Sequence, residues 1–212
     1  MFEPFFSRFA VSPSGEPGEA AWVDDRLGSV VGYDELMAVA AGSSFDNGIY
    51  RLHSRESAAT GQAAAVAAFP SLEGRGAVFA YDWLGRQFAL DFARLSGDQP
   101  MVLMLEPGTG EALEVPATFV DFHDTELTEF ADSALASEFF ATWSAAHADE
   151  VPLAHSDCVG YLVPLFLGGE DAVENLEVVE FDDYWSVLSQ ILQQARDDSD
   201  GGPAPRGDRA TG

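Results

Sequence analysis

The sequence predicts an α+β fold, in which a central, mainly antiparallel sheet carries helices packed on it. Three observations lead there. Four strand-length apolar runs follow one another between residues 77 and 115, separated by turn residues and not by helices. On both sides lie segments whose apolar residues recur at three- and four-residue spacing, the period of a helix with one buried face. With 212 residues and 47% hydrophobic side chains, the chain can bury a core without disulfides or metal.

Residues 5–11 read as a first strand, ended by the turn residues Ser12, Pro13, Ser14 and Gly15. Residues 34–41 suit a short helix, with Gly42 placed to stop it. GIYRLH at 48–53 alternates like a half-buried strand. Ser54 then stands where an N-cap belongs, and the Ala-rich run to Ala68 reads as a helix broken before Pro70. Residues 77–83 and 87–93 flank Leu84, Gly85 and Arg86 as a hairpin. Residues 101–105 give a third strand and 111–115 a fourth, ended by Pro116.

The longest helix is expected near 124–146. Asp124 offers an N-cap, and Glu126 and Glu129 suit the positive end of the helix dipole. Leu127, Phe130, Ala131, Ala134 and Leu135 would form its buried face, leaving Glu126, Glu129, Asp132 and Glu138 in solvent. A loop should carry 149–160. Residues 161–167 read as an edge strand or extended loop because of Pro164. Residues 175–179 read as a last strand. A C-terminal helix near 182–196, capped by Asp182, would turn Trp185, Leu188, Ile191, Leu192 and Ala195 to the core. From Asp197 the Gly, Pro, Asp and Ser residues without periodicity predict a disordered tail, 197–212. The organisation expected is an N-terminal part, 1–120, and a C-terminal part, 121–196, sharing one core.

Charge departs most from the ordinary. Thirty-six Asp and Glu face ten basic residues, all arginine, for a net charge of −26. Between Leu95 and Ala195 stand twenty acids and no Lys or Arg, only His123, His147 and His155. Those carboxylates cannot pair with cations of their own stretch, so many must face water and raise a broad negative potential. Such a surface complements a cationic protein and disfavours direct binding to nucleic acid. A salt-adapted proteome would give a similar composition, and a high-GC genome would favour arginine over lysine without explaining the acids.

No apolar run reaches the roughly 18 residues of a membrane span. The start, MFEP, lacks the basic region of a signal peptide, so a cytoplasmic protein is expected. The single cysteine, Cys158, excludes an intramolecular disulfide. His155 and Cys158, three apart, lack the further clustered ligands that zinc needs. No phosphate loop follows the glycines at 108–110 or 168–169, no Gly-x-Ser-x-Gly elbow is present, and the acids lack calcium-loop spacing. Arg206-Gly207-Asp208 spells an adhesion tripeptide inside the expected tail. No enzyme, cofactor or metal is expected. Tyr81, Trp83, Phe88 and Phe92 read as sheet core, with partner anchoring as the alternative.

Three stretches carry a family resemblance: GIYRLH (48–53); YDWLGRQFALD (81–91) followed by EPGTGE (106–111); and VGYLVPLFLGGED (159–171) with ENLE (174–177). Together, over residues 40–195, they resemble bacterial proteins with a GAD-like N-terminal part and the C-terminal domain of the type VI secretion DNase-immunity family. These are grouped loosely with the SUKH (Smi/Knr-like) immunity superfamily. The resemblance implies an immunity protein that binds and neutralises a toxin, with no catalytic residues to carry over. A nuclease toxin must be basic to hold phosphate, so Asp124, Glu126, Glu129, Asp132, Glu170, Asp171 and Glu174 are the candidate partner-binding residues. Gly168 and Gly169, as a tight turn, and Asn175, as a clamp on nearby backbone, are expected to shape the loop. The alternative is a non-catalytic SUKH-like scaffold that binds a cytoplasmic regulator. A hydrolase or transferase with an acidic site would instead need a metal or a deep pocket of carboxylates.

Overall fold

The computed structural model describes residues 1–16, 18 and 24–200. The expected tail lies outside that range from Gly201 onward, as does the Arg206-Gly207-Asp208 tripeptide.

The chain opens with a helix where a strand was expected. Phe2, Phe5 and Phe9 are 1%, 0% and 2% exposed, with Phe5 inside the helix and Phe2 and Phe9 at its two ends, all buried in one core. Helix α1 (Glu3–Arg8) has Pro4 in its first turn and Arg8 in its last, and only then does β1 (Val11–Ser12) begin. Burial of these rings, not the β-propensity of phenylalanine, decides this segment.

Helix α2 (Tyr33–Ala40) precedes β2 (Ser44–Phe45) and β3 (Tyr50–Leu52). Strand β3 is buried along its whole length, not on one face only. Helix α3 (Arg55–Ala68) starts at the capping box of Ser54 and Ser57 and stops before Pro70. Strands β4 (Gly76–Asp82), β5 (Gln87–Ser96), β6 (Gln99–Glu106) and β7 (Glu111–Thr118) complete a seven-stranded antiparallel meander in order β1 to β7. Pro116 does not end β7. It sits on the sheet edge where the register with β6 shifts, a place that asks for no ladder N–H.

Alternation sorts the central strands into two faces. Ala77, Phe79, Phe88, Leu90, Val102 and Met104 join the core that includes the α1 and α2 residues, Phe119 and Phe122. Val78, Ala89, Leu103 and Leu105 join a second core with Ala65, Ala68, Trp185, Leu188 and Leu192. The sheet is therefore sandwiched between helical layers.

The single helix expected near 124–146 is three kinked pieces, and it begins earlier. Thr118 caps α4 (Phe119–Asp121), a π-helical turn runs from Phe122 to Glu126, and α5 (Leu127–Glu129) follows. Asp124 thus lies inside the π turn and is no cap. The backbone breaks at Phe130 (φ −124°, ψ 35°) before α6 (Ala131–Leu135), and at Ala136 (φ 49°, ψ 50°) before α7 (Ser137–Ala146). A left-handed alanine costs roughly 1–2 kcal/mol. Against that cost, the buried Trp83 indole donates to the Leu135 carbonyl at 2.9 Å and Arg86 donates to Ala134 O at 3.2 Å, gripping the end of α6. Because the axis breaks, Phe130 is 50% exposed instead of lying on a buried face, and Ala131 and Ala134 are only half-buried.

The penultimate strands also shift from expectation. Strand β8 (Asp157–Tyr161) lies where a loop was expected, and it pairs antiparallel with β9 (Leu176–Glu180) in a separate two-stranded sheet. The last helix, α8 (Phe181–Asp200), starts one residue before Asp182 and runs past 196 to Asp200, so it is the longest helix. Trp185, Leu188 and Leu192 are buried as expected, while Ile191 and Ala195 are half-buried.

Candidate functional site

Of the twenty acids between Leu95 and Ala195, sixteen are exposed, three are half-buried and only Glu106 is buried. Arginines from outside meet carboxylates of this stretch, Arg86 toward Glu106 at 3.8 Å and Arg94 to Glu114 at 3.3 Å.

The candidate residues near the π turn differ in what holds them. One Asp124 oxygen accepts from the Phe2 amide at 3.1 Å, while the other is buried without a partner among the described residues. Asp124 therefore ties the N-terminus down, half-buried, and presents little charge. Glu126 is half-buried and Glu129 and Asp132 are exposed. Asp132 accepts from the Glu138 amide at 2.8 Å and so caps the start of α7. Beside Glu126 lies a cavity of about 240 Å³ lined by Phe88, Met104, Phe122, Leu113 and Glu114.

The second group sits on the β8–β9 connection. Glu170, Asp171 and Glu174 are exposed, and Asp171 accepts from the Tyr161 hydroxyl at 2.7 Å. Gly168 takes φ +89°, which favours glycine. Gly169 does not have positive φ; glycine is required there because a Cβ would lie 1.9 Å from the Val163 carbonyl oxygen. The Asn175 side chain accepts from Val163 N at 3.0 Å and donates to Val163 O and Glu170 O, each at 2.9 Å. The two groups belong to different elements and do not form one helical face.

Sequence reading missed a buried ionic network under both. Arg51, 0% exposed, donates to the carbonyls of Ala154 (3.0 Å), Asp157 and Asp82 (3.3 Å), with its guanidinium 4.7 Å from the Tyr81 ring centre. Asp82 accepts from the amides of Leu84 and Arg86 at 3.0 Å each, and from Arg86 Nε at 2.6 Å. Trp185 Nε1 donates to Gly85 O at 2.8 Å, and the Val159 amide donates to Trp83 O at 2.6 Å. The stretches at 48–53, 81–91 and 159–171 thus meet around one hairpin turn. A signal was present in Arg51, an arginine inside an otherwise apolar strand, since an arginine there must find several acceptors.

Glu106 shares this network. Burial pushes its carboxyl up to about 7, with Arg86 opposing the rise. The native state then holds a proton that the unfolded chain, near 4.5, releases. Stability from this group is full below about 4.5 and is lost as pH rises through 7. Glu106→Gln should therefore melt several degrees higher than the parent at pH 8.5, a gain of up to about 3 kcal/mol, and equal it near pH 4.5. Parallel thermal melts decide the matter; equal melting temperatures at pH 8.5 would contradict it.

His155 is engaged by Tyr81 at 3.1 Å and Leu52 O at 3.3 Å, and the fully buried Cys158 thiol is pushed up by desolvation. His53 and His123 are pushed down by burial to about 3 and about 4. Among the described residues no three His, Cys, Asp or Glu side chains group as a metal site, and no helix is long and apolar enough to cross a membrane. Tyr81, Trp83 and Phe88 are all buried, and Phe92 is half-buried under the Arg26 guanidinium, 4.1 Å from its ring centre.

Residues 122–192 match the family model described as T6SS immunity protein Tdi1, C-terminal. The match supports a type VI secretion immunity family over that C-terminal stretch. The fold is similar to the crystal structure of Atu4351 from Agrobacterium tumefaciens, with a TM-score of 0.57 over 90% of this chain and 89% of that one. At 14% identity that likeness is one of fold. No curated protein matches the chain significantly.

Proposed function

We propose, from the match over residues 122–192, that this is an immunity protein that binds and neutralises a basic protein toxin, a nuclease effector, through exposed carboxylates. The observation that carries the reading is a coincidence of position. The matched residues fall inside the stretch that has no Lys or Arg and leaves sixteen of its twenty acids exposed. A nuclease gathers cations to hold phosphate, and an inhibitor that offers carboxylates to those cations competes with the nucleic acid for them. Opposite charge also speeds the encounter and selects the partner. The protein acts in the cytoplasm, needs no cofactor and does no chemistry. Its N-terminal part is the GAD-like portion, and the C-terminal part carries the toxin contacts.

Glu126, Glu129 and Asp132 form the first contact group in this reading, with Glu170 and Glu174 the second. The triple variant Glu126→Gln, Glu129→Gln, Asp132→Asn keeps an acceptor at position 132 to cap α7. It should associate with its cognate toxin about tenfold more slowly, and with a shallower dependence on salt. Surface plasmon resonance at several ionic strengths measures both. Association rates and salt slopes equal to the parent's would take this surface out of the interface.

A further inference from the structure

The β8–β9 connection is held rigidly and yet leaves large apolar side chains in water. Leu162, Val163 and Leu167 are 55%, 46% and 55% exposed. The backbone that carries them is fixed at many points. Asn175 clamps Val163 and Glu170, the Leu162 amide donates to Asn175 O at 2.9 Å, and Gly169 packs against Val163 O. Gly169 N closes the turn onto Pro164 O at 3.1 Å, and Phe166 N reaches Gly108 O at 3.3 Å.

A loop whose only task is connection carries polar residues at its tip. Here the clamp makes a scaffold whose ordering cost is already met in the free protein, so covering its apolar side chains loses little more entropy. Carboxylates flank the same loop, with Glu170 and Glu174 exposed. Apolar side chains beside a charged margin are the anatomy of a binding anchor.

We infer that residues 162–174 form the anchor of the complex: Leu162, Val163 and Leu167 seat in an apolar spot on the toxin, and arginine or lysine side chains around that spot meet Glu170 and Glu174. The inference rests on the immunity reading and adds the part of the interface that fixes lifetime. Charge selects the occupant. A second copy of this chain, at −26, would bring carboxylates against carboxylates, and an anionic lipid surface would repel the same loop.

The test uses Leu162→Ser, Val163→Thr, Leu167→Ser in one protein, and Glu170→Gln, Glu174→Gln in another. All five side chains are exposed, so melting temperatures should stay close to the parent's. Against the same purified toxin, the apolar variant should dissociate faster and bind roughly 30-fold or more weakly, with its salt slope kept. The Gln variant should associate more slowly instead. If the unaltered protein binds that toxin and the apolar variant binds it equally well, the anchor is refuted while the immunity reading stands. If the unaltered protein does not bind, both fall. Two measurements on the unaltered protein alone complete the test: flotation with phosphatidylcholine–phosphatidylglycerol vesicles and light scattering for dimers. Vesicle binding or dimerisation that the apolar variant loses would assign the loop to lipid or to self-association, and would overturn the inference.

Discussion

Arg51→Met should destabilise the protein by about 2–4 kcal/mol, lowering its melting temperature by several degrees. The substitution keeps an unbranched apolar stem but removes the donors for three carbonyls, those of Ala154, Asp157 and Asp82. Ala154 O keeps the Asp157 amide at 3.1 Å and Asp82 O keeps the Gly85 amide at 3.0 Å, so the loss falls mainly on Asp157 O, and a buried acceptor left without a partner costs about 1–3 kcal/mol. The guanidinium also lies against the Tyr81 ring, 4.7 Å from its centre, and that contact goes with it. Arg51→Lys should recover little, because one ammonium on a flexible stem cannot reproduce a planar fork aimed at acceptors on separate segments. Thermal melts of both variants decide the point. A methionine variant within 1 kcal/mol of the parent would show that the guanidinium's bonds are dispensable, and the network would lose its structural standing.

Trp185→Ala should cost about 3–5 kcal/mol. The indole is 0% exposed, lies between Phe69 and Phe181 with ring centres 6.2 Å away on each side, and satisfies Gly85 O at 2.8 Å. Alanine would leave both a cavity and an orphaned carbonyl on the β4–β5 turn. Trp185→Phe separates the two effects, since it refills much of the space and still leaves Gly85 O unpaired. Its expected cost is about 1–3 kcal/mol. Denaturant titration of the pair gives the comparison, and equal losses for the two variants would mean that packing contributes nothing at this site.

Much of the sheet was legible because its signals are local. Leu84, Gly85 and Arg86 mark a turn between strand-like runs, and Ser54 before an Ala-rich run sets a helix start, so neither needs knowledge of distant contacts. The failures share a cause of the opposite kind. The break at Ala136 has no glycine or proline to announce it; it depends on Trp83 and Arg86 reaching carbonyls about fifty residues away in the chain. Helix α1 went unseen because aromatic residues suit strands, while burial of Phe2, Phe5 and Phe9 against neighbours far along the chain favoured the helix.

The candidate site was legible as composition but not as shape. A hundred residues without Lys or Arg announce exposed carboxylates, yet they do not tell Asp132, which caps α7, from Glu129, which the structure leaves in solvent. Nor do they show that Asp124 is spent on holding Phe2. The Gly168, Gly169 and Asn175 pattern pointed to a shaped loop, but what the loop displays depends on side chains that sequence alone would have buried.

Every strand of the large sheet hydrogen-bonds only with strands adjacent in sequence, whereas its cover arrives late, with the Gly85–Trp185 bond spanning a hundred residues. A ribosome extruding this chain therefore releases a platform that can pair as it emerges, and from β4 to β7 each step closes only a short loop and surrenders little entropy. Until the final helix follows, the part of that platform's apolar flank that α3 does not reach stays uncovered. A truncation before residue 181 would leave that part permanently bare, a surface that invites aggregation.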